Sequence, residues 1–226
     1  MRRWEEIFLE EDRELLKRAD MAKKQDFGGR PSLLVVDVIK GVFGTVEIYP
    51  TSCGRRAEAA LPHIEKVVNA CRAVEIPVVF IKEDLDAWRF TQGPTKEATP
   101  EWMTAHFDEE SNEIPEQIKP RPSELVIPKI RASCFFGTSL LSCLRTMGID
   151  TLLVVGGATS GCLRATVVDA FSNGYRCFVV EECCIDRFEL SHLVNLWDMN
   201  AKYADVITVD EALELVTKFA QSRKGA

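Results

Sequence analysis

The chain has 226 residues, of which 46% are hydrophobic and 28% charged, a balance that suits one globular domain with a sizeable core. Its formal net charge of -7 argues against a nucleic-acid-binding or anionic-membrane surface, while leaving room for a local basic pocket for a small anion. The 8 cysteines include no CxxC pair and the 3 histidines lie far apart, so the spacing supports neither a dithiol redox motif nor a structural zinc site.

In chain order, Met1 to Asp20 is charged and amphipathic rather than leader-like, and no apolar run approaches bilayer length, so a cytoplasmic protein is expected. Within that stretch, residues 4 to 19 set Ile7, Leu15 and Leu16 among charges. This predicts a helix lying on the domain or on a neighbouring subunit, and residues 1–30 are read as a helical extension of a domain spanning 31–226. A Gly-Gly-Arg-Pro break at 28 to 31 leads into the aliphatic run Leu33 to Val36, the first buried strand, which ends at Asp37. A carboxylate at the mouth of an apolar strand is costly to desolvate unless it is paired or used, so Asp37 is a candidate acid or base; the plainer alternative is an aspartate capping a turn.

Residues 57 to 73 carry apolar side chains at helical spacing and precede a second strand over Ile76 to Ile81. The segment from Glu83 to Arg121 is long, polar and broken by Pro94, Pro100, Pro115 and Pro120, with Trp88, Phe90, Trp102 and Phe107 dispersed through it. Such a loop reads as a lid, a subunit contact or a disordered stretch. Leu125 to Ile127 form a short third strand leading through Pro128 to Lys129, a cation where the first strand ends in an aspartate. Phe135 and Phe136 follow, as pocket wall or plain core, and Thr138 opens a helix that Gly148 terminates.

Thr151 to Arg164 organises the rest. Leu152 to Val155 is an uninterrupted apolar run, Gly156 to Gly161 are all small, and a helix begins near Cys162. Amides at a helix start carry partial positive charge, so they can lower a thiol pKa and donate to an oxygen that becomes negative. Cys162 is therefore a candidate nucleophile, with a buried inert thiol as the alternative. Arg176 to Val180 and Val206 to Ile207 supply the fifth and sixth strands, and Thr208 with Glu211 has capping-box spacing for a C-terminal helix. Cys183 and Cys184 are adjacent, poor geometry for a mutual disulfide.

Strands alternating with helices predict an α/β fold, a single Rossmann-like six-stranded parallel sheet with helices on both faces. In the strand order 3-2-1-4-5-6, the first and fourth strands meet at the switch point, so Asp37 and Cys162 face each other across the crevice, with Lys129 at the same carboxyl edge. GGATSGC matches neither G-x-G-x-x-G nor G-x-S-x-G, which argues against dinucleotide binding and a serine elbow.

LLVVD at 33 to 37, KIRASCFFGT at 129 to 138 and VVGGATSGCLRATVVDAF at 154 to 171 resemble the isochorismatase-like cysteine hydrolases. YPTSCG at 49 to 54, CCIDR at 183 to 187 and NLWDMNAKYADV at 195 to 206 point within them to the N-carbamoylsarcosine and maleamate amidohydrolase branch. The resemblance implies a catalytic trio of Asp37, Lys129 and Cys162, a cis peptide between Gly157 and Ala158, an oxyanion hole from the backbone amides of Ala158 and Cys162, and a substrate-carboxylate arginine at Arg187. Without it, Arg187 reads as a surface ion pair with Asp186 or Glu189. It also implies no metal and no cofactor, since the histidines of the nicotinamidase branch have no counterpart near Asp37, and a homo-oligomer, commonly a tetramer. Many members carry a polar residue two positions after the aspartate, where this chain has Ile39. The implied activity is ammonia release through a thioester from a small amide or carbamoyl substrate, an anionic one such as N-carbamoylsarcosine or maleamate being favoured and the uncharged biuret the alternative. A thiol-redox protein and a silent scaffold are the readings from other classes.

Overall fold

The structure is a computed structural model that describes residues 3–7, 9–88 and 108–224. Its frame is a six-stranded sheet of β1 (Pro31–Val36), β2 (Val78–Glu83), β3 (Leu125–Lys129), β4 (Thr151–Gly157), β5 (Arg176–Ile185) and β6 (Asp205–Ile207), in the order β3-β2-β1-β4-β5-β6. Every neighbouring pair is parallel. Expected and observed order therefore agree, and so does the placement of the switch point between β1 and β4.

The central strands read as continuous aliphatic runs because both of their faces are covered. Leu33 and Val35 point into one core with α3 (Arg55–Ala73) and the C-terminal helix α8 (Val209–Lys224). Leu34 and Val36 point into the other, covered by α5 (Leu140–Thr146), α6 (Arg164–Ser172) and α7 (Glu189–Lys202). Helix α8 starts with the expected capping box: Glu211 N donates to Thr208 Oγ1 at 3.2 Å, and Thr208 N donates to Glu211 Oε2 at 2.7 Å. Gly148 follows α5 with φ +66, where a side chain would be strained.

Several expectations shift. The N-terminal stretch is a 3-10 turn (Arg3–Glu5) and α1 (Glu10–Arg18), and no residue of α1 is buried. The anchor is Trp4, which sits in the second core with its indole donating to Glu181 Oε2 at 2.7 Å. Phe135 packs against that core, but Phe136 is 62% exposed, so the two are not a buried pair. β3 runs on through Pro128 to Lys129; a proline is tolerated because this strand is at the sheet edge. Glu83 closes β2 and Leu85–Trp88 forms α4, with α2 (Lys40–Phe43) the short helix after β1. From Asp108 the chain packs back on the domain, burying Ser111, Asn112 and Ile118. Phe90, Trp102 and Phe107, named above in the loop read as a lid, a subunit contact or a disordered stretch, lie outside the described residues. Among those described, no helix is long and apolar enough to cross a membrane.

Candidate active site

Register delivers three charged side chains to one edge of the sheet. β1 ends at Val36, β2 at Glu83 and β3 at Lys129, with Glu83 paired to Lys129 across the strands. Asp37 follows with φ +50, an unusual conformation for a residue other than glycine that aspartate tolerates better than most. Opposite it, Gly156 faces Val36 so closely that a Cβ would lie 1.9 Å from the Val36 carbonyl oxygen, which is why β4 has glycine there.

The fourth group arrives from the turn after β4. The Gly157–Ala158 peptide is cis, and the backbone leaves helical angles at Gly161 (φ -108, ψ -110) before running into α6. Cys162 is thus the first residue past the break. Four contacts fix this turn, and the sequence reading named none of their partners for it. Ser160 N donates to Asp186 Oδ2 at 2.7 Å, Thr159 Oγ1 donates to Ile185 O at 3.0 Å, His192 Nδ1 lies 2.9 Å from Thr159 Oγ1, and Thr166 Oγ1 lies 2.7 Å from Cys162 O. With the threonine hydroxyl donating to Ile185, His192 Nδ1 carries the proton in that pair.

At the centre lies the Lys129 ammonium. Its Nζ is 2.9 Å from Asp37 Oδ2, 2.8 Å from Glu83 Oε1 and 3.5 Å from Cys162 Sγ. Lys129 and Asp37 are buried, so the charges interact in a medium that screens them little. Asp37 Oδ1 is buried and has no hydrogen-bond partner among the described residues. A buried carboxylate oxygen left open beside a thiol is a proton acceptor in waiting. Asp37, Lys129 and Cys162 are therefore brought together. Arg187 is not: it is exposed, and its Nε and Nη2 donate to the Thr51 carbonyl, at 3.0 Å for Nε. The ion pair with Glu189 expected as its plain alternative is made by Arg56 instead, at 2.8 Å.

The electrostatics correct one expectation. Burial raises the Cys162 thiol well above its ordinary value, Asp37 adds to the rise, and Lys129 opposes it without overcoming it. Burial and Asp37 thus favour the protonated thiol, against the lowering expected from a helix start. Burial likewise raises the Glu83 carboxyl, with Lys129 pulling it back. Burial works to lower the Lys129 ammonium, but Asp37 and Glu83 together hold it well above 10.5. Glu83 was missed in the sequence, where the second strand was read as ending at Ile81; the strand runs on to Glu83, which the register sets level with Lys129.

Asp37, Glu83 and Cys162 offer ligand atoms within 4.8 Å of one another, the spacing of a small cation site. Lys129 Nζ touches all three, so a fixed ammonium already stands where a metal ion would sit. Among the remaining thiols, Cys134 is buried and pushed up to about 12, which fits an inert core group.

The family model described as "Isochorismatase domain" matches residues 31–211. A maleamate amidohydrolase from Pseudomonas putida is 43% identical over 105 residues, covering 46% of this chain and 49% of that enzyme, so the match spans about half of the relative's length. An N-carbamoylsarcosine amidase from Arthrobacter sp is 30% identical over 207 residues, 86% of this chain and 74% of that enzyme. Among solved structures, N-carbamoylsarcosine amidase from Thermoplasma acidophilum has a TM-score of 0.59 and 26% identity, covering 80% of this chain and 97% of that one.

Proposed function

The chain belongs to the isochorismatase family, and from that premise we propose that it is an amidohydrolase that releases ammonia from a small amide or carbamoyl substrate through a Cys162 thioester. The observation that carries this reading is the open, buried Asp37 Oδ1 beside a raised thiol, with Lys129 touching both residues. Asp37 takes the Cys162 proton as Sγ attacks the carbonyl carbon, and the carbonyl electron pair moves to oxygen. Lys129 supplies positive charge next to the sulfur as it loses its proton. The backbone amides of Ala158 and Cys162 are the proposed donors to the oxyanion, each such donor typically worth about 2.7 to 4 kcal/mol of barrier. Collapse breaks the carbon–nitrogen bond, the nitrogen leaves as ammonia with the proton from Asp37, and a water deprotonated by Asp37 hydrolyses the thioester.

For the substrate we favour an N-carbamoyl amino acid such as N-carbamoylsarcosine, supported by the relative that matches most of the chain, with Arg187 as the proposed carboxylate anchor. Maleamate is the second reading, favoured by the higher identity of the shorter match. A thiol-redox role fits less well, because a raised thiol leaves little thiolate for exchange. Phe188 and Leu190, at 70% and 68% exposed, are the apolar surface we assign to a homo-oligomer, a tetramer by the resemblance, which light scattering would size. The cytoplasm is the proposed location.

The deciding experiment is ammonia release from N-carbamoylsarcosine, maleamate, biuret and nicotinamide, with Cys162→Ala beside the native protein. Release from an anionic substrate that vanishes in the variant is expected; turnover that survives Cys162→Ala would remove the nucleophile from the mechanism.

A further inference from the structure

An ammonium has three protons to donate, and Lys129 Nζ has three acceptors around it: Asp37 Oδ2, Glu83 Oε1 and Cys162 Sγ. The Glu83 carboxylate is itself fixed at both oxygens, since Oε2 accepts from Trp88 Nε1 at 3.2 Å. Its backbone is held as firmly. Asn112, a buried side chain, accepts from Glu83 N at 3.1 Å and donates to Glu83 O at 2.7 Å, while Asp84 N donates to Lys129 O at 2.8 Å. A carboxylate so tethered has no freedom to swing towards a substrate.

We propose that Glu83 is the positioning residue of this site: it holds the Lys129 ammonium midway between Asp37 and Cys162, so that Lys129 acts as a fixed charge beside the sulfur with no proton left to offer the substrate. Without Glu83, the ammonium has one acceptor fewer on the β2 side and closes on Asp37, away from Sγ. Glu83 thus works through Lys129 and makes no step of its own. The groups facing Cys162 are Asp37 at the end of β1, Glu83 at the end of β2 and Lys129 at the end of β3, with Cys134 beside the same ammonium from the following loop. Glu83 is also the one carboxylate of this cluster that the proposed proton transfers do not use.

The test has two arms, of which only the first rests on the hydrolase reading. In the turnover arm, Glu83→Ala is expected to lower kcat by roughly a hundredfold with KM changed by less than about threefold, as a misplacement of the ammonium would do. Glu83→Gln, whose amide oxygen still accepts from Lys129, is expected to recover about tenfold of that loss. In the second arm, which needs no substrate, iodoacetamide alkylation of Cys162 is followed against pH by peptide mass mapping. Both variants lose the Glu83 charge that helps hold the thiol proton on, but in Glu83→Ala the ammonium also draws away from the sulfur, so its alkylation midpoint should lie above that of Glu83→Gln. Equal midpoints in the two variants, or a Glu83→Ala loss confined to KM, overturn the proposal. If the native protein releases no ammonia from any of the panel, the hydrolase reading fails and the alkylation arm still decides the role of Glu83. Should Glu83→Ala not fold, Glu83→Ser takes its place in both arms.

Discussion

The carboxyl ends of β1 to β3 and the segment beyond β5 border the same edge of one sheet, yet they hold their charges in opposite ways. At the first, Lys129 and Asp37 have side chains 1% and 5% exposed, each with a partner set by strand register. At the second, Arg187 is exposed and tied to a single carbonyl, that of Thr51. Buried charges have to be paired or they neutralise, so their geometry is over-determined by the fold. An exposed guanidinium keeps its hydration and its freedom, and its role depends on what it meets. The first region is fixed by burial and pairing; the second keeps an exposed cation free to meet another group.

The largest expected effect comes from breaking the buried cluster at its centre. Lys129→Met should abolish turnover and also destabilise the protein by about 3–5 kcal/mol, because two carboxylates then lose their shared cation. Denaturant unfolding would measure it, and a loss under about 1 kcal/mol would mean the cluster is solvated after all. Cys162→Ala should be equally inactive but close to native in stability, since it removes no charge. The pH dependence separates the two. The Lys129 value is raised on folding, so its stabilisation is fully present below the unfolded value of 10.5 and is lost only as pH climbs through the folded value. That alkaline loss should disappear in Lys129→Met. The Glu83 carboxyl is raised by burial, so the stability of the variant should recover as acid protonates it.

The same contrast explains what could be read from the sequence. Strand ends were legible because parallel, doubly covered strands are aliphatic runs and Asp37, Lys129 and Cys162 each interrupt or follow one. Glu83 was not, because VVFIKE ends in two charged residues and nothing in the sequence says which one turns inward. Nor was the state of the Cys162 thiol. A helix start argues for a low value, but burial and two carboxylates brought from β1 and β2 outweigh it, and those are contacts between strands far apart in the chain. Asp186 and His192, which support the turn before Cys162, were hidden for the same reason, being 26 and 33 residues from the groups they hold. Trp4 was passed over because a lone aromatic among N-terminal charges has no periodic partner in the sequence.

Arg187→Ala probes the other side of the comparison. Hydrogen bonds to charged groups contribute about 1.5–3 kcal/mol, so kcat/KM should fall roughly tenfold to a hundredfold on N-carbamoylsarcosine or maleamate and much less on uncharged biuret. Stability should change by less than about 1 kcal/mol, because only an exposed side chain bonded to one carbonyl is lost. Equal losses on charged and uncharged substrates would show that Arg187 acts by holding the Thr51 loop, not by meeting a carboxylate.

The smallest expected effect on turnover lies where the two regions join. Asp186 is buried between them, with Oδ2 accepting from Ser160 N in the nucleophile turn and Oδ1 accepting from Phe188 N one residue past Arg187. Asp186→Asn keeps the shape and one acceptor but places an amide NH2 against a backbone N–H, which leaves two donors facing each other. A cost of about 1–3 kcal/mol in stability follows from one unsatisfied buried pair, with a few-fold drop in kcat as the turn loosens. If Ser160 keeps the acceptor, the damage falls on the Phe188 side, and KM for anionic substrates should rise while the alkylation profile of Cys162 stays native. If Phe188 keeps it, the turn moves, and kcat and the alkylation profile should change together. Measuring both in one variant tells which region Asp186 chiefly serves: the turn that carries the proposed nucleophile, or the segment that carries the proposed carboxylate anchor.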